Sequence, residues 1–198
     1  MWDALERDTD GILQLGSMRD ALQRLGFGSD QLRGRLVVDS PIVLAPHVVL
    51  DAGGAYRLAY SRRVDDFKRW IGVADAEIDA GLITPQSIRP ALSPDEIQRL
   101  WSRDQRSAFA ETDAAAHWYL FGRARDAAAY QRLLERLRGP FHAALFVLDE
   151  LHVTSRGALT IEGLPTALAV RNVHIEPGGT VSSYTVLRAD VEKITRSA

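Results

Sequence analysis

The chain has 198 residues, of which 46% are hydrophobic and 25% charged, and its formal net charge is −2. That length and apolar content bury a core without covalent staples, and the near-neutral balance supplies no global basic field to recruit nucleic acid. Cysteine is absent, which excludes disulfides, thiolate zinc sites and cysteine nucleophiles and suits a reducing, cytoplasmic setting.

The start of the chain reads as helical. Leu5, Ile12, Leu13, Leu22 and Leu25 give an irregular apolar stripe, Ser17 followed by Asp20 resembles an N-cap, and Gly26 is a natural stop. Met1 to Asp8 lacks the basic start and apolar run of a signal peptide. Leu36 to Tyr60 is the first β unit, rich in valine and isoleucine and punctuated by Pro41 and Pro46. Asp51-Ala52-Gly53-Gly54 reads as a tight turn whose third residue needs a positive φ, with Tyr56 to Tyr60 running back as the partner strand.

A helix is predicted over Asp65 to Ala80, carrying Phe67, Trp70, Ile71 and Ile78. A connector follows with Pro85, Pro90 and Pro94. Ser93-Pro94-Asp95-Glu96 is a strong helix start: serine caps, proline takes the first helical position, and Glu96 closes a capping box. Another helix is predicted over about Ala114 to Leu137, ended by Gly139-Pro140. Phe141 to Val153 is strongly apolar, and its latter part reads as a strand leading into a second β unit. No uncharged apolar stretch approaches the ~20 residues needed to span a bilayer, so no membrane insertion is expected.

The two β units align with each other. Gly34 to Asp39 and Val48 to Gly54 fall opposite Gly157 to Glu162 and Val173 to Gly179, and the match extends to the two lysines, Lys68 and Lys193. The expected fold is α+β. Two similar units, hairpin-like or rung-like, at about 34–60 and 157–186 share a β core, with a helical insertion at about 64–140 and an N-terminal helix. The repeat runs over 34–69 and 157–194 within a single domain spanning 1–198. A solenoid rung is suggested by Leu36, Ile42 and Val48, which begin three apolar triplets six residues apart. The spacing stretches to seven in the second copy (Leu159, Thr166, Val173), which favours a sandwich or small barrel.

The duplication also nominates a site. His47 and Asp51 share one strand face in the first unit, and His174 and Glu176 share the equivalent face in the second. If the units pair, two imidazoles and two carboxylates converge. That set suits zinc, iron or manganese, or acid–base catalysis. It would be centred on His174 and Glu176, with His47 or Asp51 supplied across the sheet. The two histidines are not equivalent in the repeat, since His47 aligns with Asn172.

Other patterns are weaker. Glu6 to Gly11 and Asp75 to Asp79 alternate acids as calcium loops do, without the closing bidentate carboxylate or the right glycine spacing. His117, His142 and His152 sit in apolar surroundings and read as structural. No nucleophile elbow, phosphate-binding loop or H-E-x-x-H pattern occurs, and no pattern names a cofactor. Arg99, Arg103 and Arg106, and Arg125, Arg132 and Arg136, line helices beside Trp101 and Trp118, but acids are interleaved with them and pair along the helix.

The first expectation is therefore a non-catalytic assembly or recognition module. Its partner would be itself or another protein, engaged through a β edge or through its tryptophans. An enzyme using the histidine–carboxylate set is the alternative, and an arginine-mediated nucleic-acid binder is the least supported reading.

Overall fold

A computed structural model describes residues 11–15, 17–85 and 88–196. The chain forms two compact units. The first is built from the chain up to Ala59 and from His142 onward, the second from Tyr60–Phe141. The class is α+β, with an N-terminal helix and a helical insertion between β segments.

Nine strands occur among the described residues: β1 (Gly11–Leu15), β2 (Arg35–Val38), β3 (Pro41–Val43), β4 (Ala55–Ser61), β5 (Phe141–Val153), β6 (Ala158–Ile161), β7 (Thr166–Ile175), β8 (Thr180–Ser183) and β9 (Leu187–Arg196). The larger sheet has the order β1-β9-β7-β5-β2, with β4 also paired to β5, and the smaller has the order β3-β6-β8. Every neighbouring pair along these two orders is parallel. Parallel neighbours need a crossover. From β5 onward the crossover of each sheet is a strand of the other, so the chain winds as a short β-coil rather than folding back as hairpins.

The register gives the pitch. Leu151 pairs with Val173, and Leu159 with Val181, an offset of 22 residues in both sheets. Val173 then pairs with Ile194, an offset of 21. β2 and β3 supply the first rung, with Leu36 beside Leu151 and Ile42 beside Leu159. Inward-facing Leu36, Val38, Leu151, Val153, Leu159, Ile161, Val173 and Ile175 belong to one buried cluster, the apolar interior that two facing sheets create.

Glycine at the rung corner is a packing requirement. Thr154 to Gly157 and Glu176 to Gly179 are equivalent turns, each closed by a hydrogen bond from its glycine N–H to its first carbonyl. A Cβ on Gly157 would lie 2.0 Å from Val38 O, and one on Gly179 would lie 2.7 Å from Thr154 O. Each corner rests on the backbone of the rung before it.

The two ends of the long strands differ. Ala143 to Leu148 of β5 and Thr166 to Val170 of β7 are buried without interruption, as in sheets covered on both faces. Helix α1 (Met18–Leu25) packs on β7 and β9, burying Met18, Ala21, Leu22 and Leu25. There Arg24 and the buried Arg188 both pair with Asp190. Beyond Arg171 burial alternates, and the outward face holds polar residues.

The first β unit differs from its expected form. Val48 to Leu50 do not form a strand; they lie in helix α2 (Pro46–Asp51). Pro46 sits at the first helical position, where its missing N–H costs nothing, and Val49 is fully buried in the coil core. The Gly53-Gly54 turn therefore ends a helix, and the equivalence of Val48–Leu50 with Val173–Ile175 fails. Gly53 and Gly178 do take positive φ, 77° and 94°. The sandwich or barrel gives way to the coil, whose true repeat is the 22-residue one. Lys68 is buried on a helix while Lys193 is exposed on β9, so those two positions are not equivalent. Ile12 and Leu13 belong to β1, not a helix, and Leu5 lies outside the described residues.

The second unit is helical: α3 (Val64–Ile71), α4 (Asp75–Asp79), α5 (Pro94–Trp101), α6 (Gln105–Phe121) and α7 (Gln131–Leu137). The helix expected over 65–80 is broken at Gly72, whose added Cβ would lie 2.5 Å from Leu120 O. The close approach of the α6 terminus leaves no room to continue. Lys68 Nζ caps that terminus, donating to the carbonyls of Tyr119, Leu120 and Gly122 at 2.9, 3.2 and 2.7 Å. The helix expected over 114–137 is likewise two, α6 ending at Phe121 and α7 beginning at Gln131.

Candidate functional site

The outward face of the larger sheet, past the part that α1 covers, presents two cross-strand rows. Arg35, Glu150, Asn172 and Lys193 form one; Val37, His152, His174 and Thr195 form the next. Side chains in register on neighbouring strands meet directly. Arg35 Nε lies 3.0 Å from Glu150 Oε1. The rings of His152 and His174 stand edge to face, with centroids 4.7 Å apart.

Glu176 follows the end of β7, at the first position of a rung corner. Its own N–H donates to Val153 O, which anchors it against the preceding rung. Its Oε1 lies 2.9 Å from His152 Nε2, and its Oε2 accepts from Ser155 N–H at 2.9 Å. The Ser155 N–H, followed by the His152 side chain, holds the Glu176 carboxyl below its ordinary value. His152, His174 and Glu176 are all half-buried, and one ligand atom from each lies within 4.8 Å of the others. On the far side of the ring, His152 Nδ1 faces Arg35 Nη2 at 3.5 Å.

Two of the four residues nominated by the sequence, His174 and Glu176, come together here. His47 and Asp51 are exposed on α2 and do not join the group. The third member, His152, reads as structural in the sequence, where its neighbours are Leu151 and Val153. Its signal was present: His152 and His174 are one coil repeat apart, in Leu151-His152-Val153 and Val173-His174-Ile175, each followed four residues after the triplet by the corner glycine, Gly157 or Gly179.

The remaining candidates are held in contacts of their own. Asp75 Oδ1 accepts from Ala124 N–H at 2.8 Å, and Asp79 pairs with Arg123 and Arg125. The Glu6 to Asp10 stretch lies outside the described residues, and Gly11 opens β1. His117 Nδ1 accepts from Ile88 N–H at 3.1 Å. Arg89 lies over the Trp118 ring, 5.1 Å from its centroid, on a face that base stacking would need. A cleft of about 870 Å³ opens beside α1, lined by Met18, Leu22, Phe27, Leu32, Arg171 and Glu192. Arg171 there pairs with Asp149 at 2.6 Å and Glu192 at 3.9 Å.

Among the described residues no helix is long and apolar enough to cross a membrane. Comparison with protein-family models, with curated proteins and with solved structures finds no match to this chain.

Proposed function

We propose that the chain is a non-catalytic assembly module that pairs with a second copy of itself through the edge of its smaller sheet. The observation that carries this reading is β8, which among the described residues has one strand neighbour, β6. An unpaired edge is a template for another strand. Natural edges are commonly protected by charge or proline; Thr180-Val181-Ser182-Ser183 carries neither. The opposite edge strand, β3, begins with Pro41, which supports β8 as the paired edge. Tyr184, directly after β8, is 74% exposed, and aromatic residues are enriched at interfaces.

Thr180 N–H and Tyr184 N–H donate to Gly157 O and Ile161 O on the β6 side. By alternation, Val181 directs its N–H and C=O away from β6. Two copies related by a twofold axis would pair their β8 strands antiparallel, giving a closed dimer. Val181→Pro removes an edge donor while sparing the bonds to β6. Sedimentation of the wild type is expected to give a dimer and that of the proline variant a monomer with unchanged circular dichroism. A wild type that remains monomeric at high concentration would overturn the reading.

A further inference from the structure

We propose that His152, His174 and Glu176 form a binding site for one divalent transition-metal ion, with zinc as the best-matched member of the class. The inference stands on the outward face of the larger sheet. It is independent of the β8 edge, so either can fail without the other.

Three features of the cluster carry it. The donor set is two imidazoles and one carboxylate, which suits zinc and neighbouring first-row ions better than magnesium or calcium. The two histidines come from adjacent parallel strands whose register is fixed by the ladder, His152 directly beside His174. Glu176 is placed by the backbone bond of its own N–H to Val153 O. Ligands on paired strands, as both histidines are, are held more rigidly than ligands on loops. The ligand atoms already lie within 4.8 Å of one another. Zinc bonds of about 2.0–2.1 Å put tetrahedral ligands about 3.3 Å apart, so the cluster contracts around an ion by small side-chain rotations.

The surroundings orient the donors. Ser155 N–H occupies Glu176 Oε2 and leaves Oε1 turned to His152. His152 turns Nε2 toward Glu176 Oε1, so Nε2 is the atom presented to the site; Arg35, whose charge is matched by Glu150, lies beside Nδ1 and turns aside when that nitrogen carries the ring proton. The Ser155 bond holds the direction of the carboxylate, as outer contacts do for metal ligands. The 2.9 Å gap between Nε2 and Oε1 opens to admit the ion, which the imidazoles bind in their neutral form and the carboxyl as carboxylate. Three protein ligands leave at least one position to water.

The test uses full-length protein stripped with chelator and titrated with zinc chloride by calorimetry, with cobalt(II) as a second, coloured probe. One ion per chain is expected. His152→Ala and His174→Ala should each weaken zinc by at least tenfold, on the order expected for damage to a metal site, whereas His47→Ala and Asp51→Asn should bind as the wild type does. Because both histidines face outward, circular dichroism of the variants is expected to be unchanged. If a variant does misfold, zinc-induced shifts of the His152 and His174 ring resonances in the wild type give the answer instead. No zinc uptake, a stoichiometry other than one, binding that survives loss of both histidines, or unshifted ring resonances would each overturn the proposal.

Discussion

Gly157 shows how single atoms set this fold. Its missing side chain lets the second rung corner sit on Val38 O, which also accepts from Thr154 N–H at 2.9 Å and cannot withdraw without breaking that bond. Gly157→Ala should cost about 1–3 kcal/mol in urea unfolding, the usual penalty of forced overpacking. Gly178 differs: its φ is 94°, so Gly178→Val adds backbone strain to a contact with Ser155 O and should cost at least about 1 kcal/mol. Val or Ala variants that unfold at the wild-type denaturant concentration would remove the rung-corner account. The sequence made Gly178 legible because a proline-glycine turn needs positive φ. It could not reveal Gly157, whose requirement comes from a strand far away in the chain.

At the scale of elements, caps read from sequence and caps made by tertiary contact behave differently. Ser93 Oγ accepts from Glu96 N–H at 3.4 Å, and Glu96 Oε2 accepts from Ser93 N–H at 2.8 Å, as the local pattern predicts. Ser93→Ala should destabilise by about 1 kcal/mol. The Ser93 hydroxyl, then its backbone N–H, hold the Glu96 carboxyl below its ordinary value. That depression is stabilisation present above the unfolded-state value and lost as pH falls through the depressed one. A carbon NMR titration should therefore find the Glu96 midpoint below that of a free glutamate, and nearer to it in the alanine variant. The end of α6 is capped instead by Lys68, far from it in sequence. Lys68→Ala leaves the Tyr119, Leu120 and Gly122 carbonyls short of a shared donor and Asp75 short of a cation 3.4 Å away. The expected cost is about 2–4 kcal/mol, measured by thermal or urea unfolding. A variant within 0.5 kcal/mol of the wild type, on the order of ordinary surface changes, would show that water replaces the ammonium freely.

At the scale of the molecule, the coil unites residues from both ends of the chain. Leu159 is 1% exposed in a cluster fed by β2, β3, α2, β5, β6, β7 and β9. Leu159→Ala should cost about 2–5 kcal/mol, with loss of secondary structure in both sheets, since each rung supports its neighbours. Retention of full stability would mean the cluster collapses onto the void, against the close packing of such interiors.

The sequence by itself determined the local and compositional parts: an α+β chain without cysteine, the helix start at Ser93, the stop at Gly26, the positive φ at Gly53 and Gly178, and polar outward positions at His174 and Glu176. Each follows from residues within one turn or strand. Tertiary structure alone decided which segments pair. The stretch Pro46 to Asp51 carries valines suited to a strand, but proline at its start and a buried slot for Val49 make it a helix. The alignment of residues 34–54 with 157–179 rests on apolar triplets and a Gly-Gly turn, and extends to the two lysines; apolar triplets and glycine turns are common to β units of any arrangement. The 22-residue offset that sets the coil is visible in the histidines and corner glycines, yet it acquires meaning only when parallel strands bring positions one rung apart within side-chain reach. His152 shows the same limit: its neighbours in sequence are apolar, and its chemistry comes from the strand laid beside it.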